Sequence, residues 1–280
     1  MQKEGNILKP QKLKSLIKHD LLYGISGNKI KIIMIFAVLF FIGFISVQNY
    51  SDLLEQPGIL GYHMYIFNGI PEFVISNENT KFELPIIWML FYMMLFLWTN
   101  GYAVSDLEGF GEHVLLLAGS RKKWWISKSI WSIVVVLEYF FLSYLFILIN
   151  SAIYKGKKTN FDDINDLYNW NLENKLPIKY ILMIYVLPIM MCIGLILLQL
   201  LMELLISPIV AYIITCSILI LSSYFKHPLA PGNYMMILRS DMVVDGGVSI
   251  LNGFIFSILL IIIVFLYGLH YVKYYDVIDK

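Results

Sequence analysis

Apolar residues gather into six long runs, at about Ile30–Gln48, Leu84–Val104, Ile130–Ala152, Tyr180–Leu201, Leu204–Tyr224 and Ile250–Val272. Charge, glycine and proline return between them. Each run is continuously apolar, and each approaches the ~20 residues a helix needs to cross a bilayer. Barrel strands would alternate apolar and polar positions, and these runs do not. The pattern predicts an all-α integral membrane protein with six transmembrane helices, residues 1–280 forming a single transmembrane domain. Only Gln199, Glu203 and Pro208 interrupt the fourth and fifth runs. One helix of that length would overshoot a membrane, so a tight hairpin near Glu203 is expected.

Composition agrees. The 280 residues are 59% hydrophobic and 15% charged, with a mean hydropathy of +0.71, whereas a soluble domain carries roughly a quarter charged residues. Formal net charge is +1, which gives no support to a nucleic-acid partner. The distribution of charge says more. Seven lysines precede Met34, and a cytoplasmic N-terminus puts thirteen of the 21 cations on the inner side. The positive-inside rule then sets both termini in the cytoplasm and the chain in the cell membrane. Some 29 residues precede the first run and no clear cleavage site follows it, unlike a signal peptide. Cys192 and Cys216 fall within spans and read as small apolar side chains.

The segment before the first span carries Leu13, Leu16, Ile17 and Leu21 at helical spacing, with Lys12, Lys14 and Lys18 away from that seam. This describes an amphipathic helix on the inner membrane surface, within a cytoplasmic segment 1–29 whose Gly24 and Gly27 permit a turn into the span. The first two outer loops are polar and too short for a folded domain. The third, 225–248, mixes Pro and Gly with Met and Ile, a composition suited to partial re-entry into the membrane. No phosphate-binding loop and no His-Glu-x-x-His occurs, and the five histidines are scattered. No catalytic, cofactor-binding or metal site is therefore assigned, and "GISG" at Gly24–Gly27 reads as a turn. Glu138 is the one acid deep in a span, which makes it a candidate pathway residue with Tyr139 and Tyr144 as partners. Pro188 and Pro208 are expected to kink helices.

The loop 105–129 between the second and third spans has two halves. Ser105 followed by Glu108 reads as a capping box, and Asp106, Glu108 and Glu112 favour the positive end of a helix dipole. Val114–Leu117 supplies an apolar surface and Gly119 a stop. Arg121, Lys122 and Lys123 then meet lipid headgroups while Trp124 and Trp125 anchor at the interface. Membrane adhesion accounts for the basic half. The acidic, apolar half suits contact with another protein.

On "DLEGFGEHVLLLAGSRKKWW", the N-terminal amphipathic segment, the short inner hairpin and the apolar third outer loop, the chain resembles a type-2 ABC transporter permease of the small six-span kind in bacterial peptide, bacteriocin or antibiotic exporters. The resemblance implies that Leu13–Leu22 is a connecting helix and Asp106–Ala118 a coupling helix docking on a separate ATPase. Glu108, Phe110, Glu112, His113, Leu116 and Leu117 would carry that contact. It further implies two ATPase copies holding ATP and Mg, a second permease chain, identical or sister, and an amphipathic peptide as cargo for export or self-immunity. Hydrolysis would then belong to the partner and this chain would not be an enzyme. The alternatives are a non-transporting membrane scaffold or sensor presenting the 105–129 loop to a cytosolic partner, and an intramembrane hydrolase using Ser26 or Glu138.

Overall fold

Every apolar run forms a helix. In the computed structural model, which describes residues 13–26, 29–51, 59–73, 82–107, 120–153, 165 and 178–275, α1 covers Leu13–Ser26, α2 Lys29–Ser51 and α3 Ile59–Phe67. α4 begins as Ile86–Thr99 and resumes over 102–107 after a break at Asn100–Gly101. α5 is Arg121–Ile153, α6 is 178–205, α7 is Pro208–Tyr224 and α8 is Ile250–Tyr274. Among the described residues there is no strand, only an isolated bridge between Ser240 and Val248.

Five of these helices (α2, α4, α5, α6 and α8) are long and apolar enough to cross a membrane. α7, where the fifth of six spans is expected, has 17 residues, about 25 Å of helix. The hairpin before it turns at Ile206–Ser207, not at Glu203, which stays helical and buried. Ser207 caps α7 by accepting the Val210 N–H at 3.4 Å. Pro208 sits in the first turn, where a missing N–H costs nothing.

α5 runs for 33 residues, about 50 Å, well beyond a ~30 Å hydrocarbon layer. Its extra length is used at one end, where α1 packs along its first turns. That side of the molecule is called the α1 end below, and the opposite side the far end. In α6 the turn Leu182–Val186 is widened into a π-helix just before Pro188. Proline has no N–H for the Ile184 carbonyl, so the α register cannot close there, and the Leu187 N–H bonds to Leu182 O in its place.

The far end departs from the sequence expectation. The segment expected as a polar first outer loop contains α3, whose Leu60, Tyr62, Met64, Ile66 and Phe67 are buried. Phe67 meets Phe91 edge-on, with ring centres 5.3 Å apart, and stacks on Phe140 at 6.2 Å, an arrangement aromatic quadrupoles favour. His63 is caged by the edges of Tyr144 and Tyr185, its Nδ1 3.2 Å from the Tyr185 hydroxyl on the π-turn. Burial lowers its pKa to about 4, so the ring is neutral at ordinary pH.

The segment 225–248, expected as the third outer loop, packs against the bundle as two 3₁₀ turns, Pro231–Met235 and Ile237–Arg239. Trp88 donates to Met235 O at 2.9 Å, Tyr234 stacks on Phe256 of α8, and Leu238 N–H bonds to Asn68 O after α3. The segment is therefore inserted beside the first turns of α4 and α8. Its pin is Arg239, which is buried and uses all five guanidinium N–H groups. Nε donates to Ile70 O, Nη1 to Ser222 O and Asn233 Oδ1, and Nη2 to Pro71 O and Ser223 O, at 2.5–3.3 Å. Two of those acceptors are carbonyls at the C-terminus of α7, where a cation also meets the negative end of the helix dipole. Arg239→Gln should leave several buried carbonyls unpaired and cost at least about 3 kcal/mol. A lowered melting temperature in detergent would register that loss, and an unchanged one would show that water takes over the guanidinium's bonds.

Candidate functional site

The α1 end carries a buried polar seam. On α1, Leu16, Asp20 and Gly24 fall at i+4 steps along the face turned to α5, so the acid lies inside the apolar seam. On α5, Trp124, Lys128, Trp131 and Val135 form the matching stripe, all buried. The Lys128 ammonium, fully buried, lies 2.7 Å from Asp20 Oδ1 and 2.7 Å from Asp106 Oδ2 on the last turn of α4. Its Nζ also stands 4.1 Å from the centre of the Tyr102 ring, a cation–π distance.

The two carboxylates receive further donors. Ser127 Oγ donates to Asp20 Oδ2 at 2.5 Å, the Tyr102 hydroxyl to Asp20 Oδ1 at 3.0 Å, and Trp124 Nε1 to Asp106 Oδ2 at 3.3 Å. One lysine thus ties three helices whose charges would otherwise be costly to bury. The helices can come this close because residue 24 is glycine: a Cβ there would collide with the Trp131 indole. Gly24 lies within α1, so it serves close packing and not the turn expected of it; Gly27 lies outside the described residues.

A second cluster sits at Asn100–Gly101, five residues upstream of Asp106. Gly101, with φ of +80°, adopts a conformation that side-chain-bearing residues avoid. Its N–H donates to Glu203 Oε1 at 3.1 Å. Gln199 Nε2 donates to Glu203 Oε1 and to Phe96 O, both at 3.1 Å. With its amide turned to satisfy both neighbours, Asn100 donates to Pro208 O at 2.8 Å and Glu203 Oε1 at 3.1 Å. Lys31 Nζ donates to Asn100 O at 2.9 Å. The break in α4 is therefore filled by a buried acid and amide from α6 and a lysine from α2.

Together the clusters fix residues 100–107 and 120–128 on either side of the loop 108–119. Glu108, Phe110, Glu112, His113, Leu116 and Leu117 lie outside the described residues. Ser105 is not an N-cap: it lies inside the helix 102–107 and its Oγ donates back to Tyr102 O at 3.0 Å. Asp106 is an ion-pair partner at the end of α4. Arg121 donates to Lys273 O at the end of α8, Lys122 is exposed and Lys123 half-buried. Trp124 and Trp125, expected at the lipid interface, are buried in protein contacts, the latter donating to Phe265 O at 3.1 Å.

Glu138 makes no hydrogen bond or ion pair with any described residue. Its expected partners are engaged elsewhere: the Tyr139 hydroxyl donates to Phe91 O at 2.6 Å, and Tyr144 packs on His63. The carboxyl is half-buried, next to the exposed Leu137 and Phe141 on the outward side of α5.

No family model matches the sequence, and neither curated proteins nor solved structures give a significant match. Fold and composition define the chain as a multi-pass, all-α membrane protein. Its distinguishing feature among the described residues is the ion cluster that joins α1, α4 and α5.

Lys128→Met would leave two buried carboxylates facing each other. The expected cost is about 3–5 kcal/mol, the usual penalty for breaking a buried pair from one side. Adding Asp20→Asn and Asp106→Asn to the same variant should recover much of it. Melting curves of the single and triple variants in detergent check this, and equal melting of wild type and Lys128→Met would remove the cluster's structural role.

Proposed function

We propose that this chain is the membrane-spanning permease subunit of an ATP-driven exporter of an amphipathic peptide or antimicrobial, acting in export or self-immunity. In this reading the α1 end and both termini face the cytoplasm, α7 counts as the fifth of six spans, and the membrane is the cell membrane. ATP and Mg are held by two copies of a separate ATPase subunit, and a second permease chain, identical or sister, completes the pathway.

The observation that supports this best is the clamp at the base of residues 108–119. A loop used only as a connector has no need of a buried ion cluster and a second polar cluster on its flanks. A loop that receives force from a partner does, because force moves a membrane bundle only if the loop is rigidly joined to several helices. Asp20, Asp106 and Lys128 join it to α1, α4 and α5; Glu203 and Lys31 join it to α6 and α2. Glu108, Phe110, Glu112, His113, Leu116 and Leu117 are the proposed ATPase contacts, with Arg121, Lys122 and Lys123 holding the loop near anionic headgroups. Glu138 belongs to the pathway in this scheme. A mid-span carboxyl on the outward side of a bundle is costly against lipid, so that side of α5 is taken to face protein or water in the assembly.

Two experiments test the reading. Cysteines at Asn160 and Ser76 should react with an impermeant thiol reagent applied to intact cells, and one at Ser120 should not; labelling of Ser120 would reverse the orientation. Leu116→Asp combined with Leu117→Asp should leave insertion intact while the ATPase no longer co-purifies or loses cargo-stimulated hydrolysis, since a few apolar side chains dominate such small interfaces. If that double variant exports normally while replacement of Arg121, Lys122 and Lys123 by Gln abolishes activity, the loop is a membrane anchor and the coupling role is lost.

A further inference from the structure

At the far end, the C-terminus of α7 opens sideways onto a groove of about 500 Å³. Its walls are apolar, formed by Ile218, Leu221, Phe225 and Leu229, of which the last three are exposed. Its rim is polar. Lys226 stands there paired with Glu72, and His227 lies beside it. His227 Nδ1 accepts the Leu229 N–H at 3.1 Å, so the ring proton resides on Nε2, which is left as a donor.

Behind the groove, Arg239 donates to the carbonyl of Ser222, a lining residue. Glu72, the acid paired with Lys226, also acts on that guanidinium through space, but among the described residues no carboxylate lies within ion-pairing distance of it. The rim and rear wall therefore hold two cations against one acid. The groove also has an aromatic edge. Phe73, Phe82, Tyr224 and Phe225 form a ring cluster beside it, with centres 4.8–5.5 Å apart. Tyr224 is the amphipathic ring among them, of the kind enriched at headgroup level.

We propose that this groove binds an anionic phospholipid of the adjoining leaflet, the phosphate at Lys226 and His227 and one acyl chain along Leu221 and Ile218. The chemistry fits from both sides. An acyl chain needs an apolar channel open to the bilayer, and a phosphate needs donors and positive potential at headgroup depth. Glu72 competes with the phosphate for Lys226, so the bound headgroup replaces an existing ion pair and does not neutralise a free lysine. The site is independent of the export reading above, since it uses neither the loop 108–119 nor a partner ATPase.

The test is native mass spectrometry of the purified chain, released from micelles containing equal amounts of phosphatidylglycerol and phosphatidylcholine. Wild type should retain phosphatidylglycerol preferentially. Lys226→Gln with His227→Gln should lower the phosphatidylglycerol-to-phosphatidylcholine ratio about fivefold, the effect of one lost headgroup cation. Glu72→Gln should move the ratio the other way, because it frees Lys226. Leu221→Trp should reduce retention of both lipids by filling the channel without changing charge. Equal retention of the two lipids by wild type, or a ratio untouched by the Lys226/His227 and Glu72 changes alike, would overturn the proposal. So would displacement of the lipid by inorganic phosphate alone, which would make this a small-anion site. Loss of a dimer in Leu221→Trp with no change in bound lipid would instead assign the groove to a second copy of the chain.

Discussion

A single buried ammonium group organises one end of this molecule. Lys128 lies between Asp20 and Asp106 in a region where water cannot compensate an unpaired charge, so the three residues constrain one another and their helices together. The constraint explains details that otherwise look arbitrary. Ser127, Tyr102 and Trp124 each present a donor because two carboxylates exceed what one lysine can satisfy. Residue 24 is glycine because the acid four positions earlier must be brought within reach of α5. The ion cluster occupies the first turns of α5, the end at which α1 packs against it.

The far end solves the opposite problem. Irregular backbone within an apolar bundle needs its polar groups satisfied by protein, and Arg239 does this for parts of three segments at once. Its acceptors are four carbonyls and one amide oxygen. Charge is thus used at both ends for different purposes: an ion cluster to join helices at one, and a guanidinium to solvate loose backbone at the other.

Much of the fold is legible in the sequence. Six runs become six helices, with ends within a few residues of the expected ones except at the start of α5, which begins nine residues before its run, because continuous apolarity over ~20 residues has only one economical backbone solution in lipid. The amphipathic seam Leu13–Leu21 is likewise real. What escapes a reading by hydropathy is polarity hidden inside apolar stripes. Asp20 interrupts the α1 seam and Lys128 the α5 stripe, a complementary pair visible in helical projection, but Lys128 reads as a loop cation when it is counted with Arg121, Lys122 and Lys123. Glu203 reads as a turn residue because it punctuates an apolar run, whereas its burial depends on Gly101 and Gln199, distant in sequence. α3 is missed because nine residues flanked by acids and prolines look like loop, and only tertiary contacts with Phe91 and Phe140 make it a buried helix. The loop 108–119, singled out by composition, stays a matter of sequence and of the geometry of its flanks.

The long helix α5 has a mechanical consequence. It is fastened near one end at Lys128, near the other at Asn150, whose amide reaches Phe40 O of α2 at 3.4 Å. Midway between them Tyr139 is bonded to the backbone of α4. Eleven residues separate the middle fastening from each of the others, so the two arms are equal, about 16 Å each. A stiff rod held at its centre behaves as a lever of unit ratio about Tyr139. A tilt of roughly 4° would displace the two ends by about 1 Å in opposite senses, without stretching a single backbone hydrogen bond along its length.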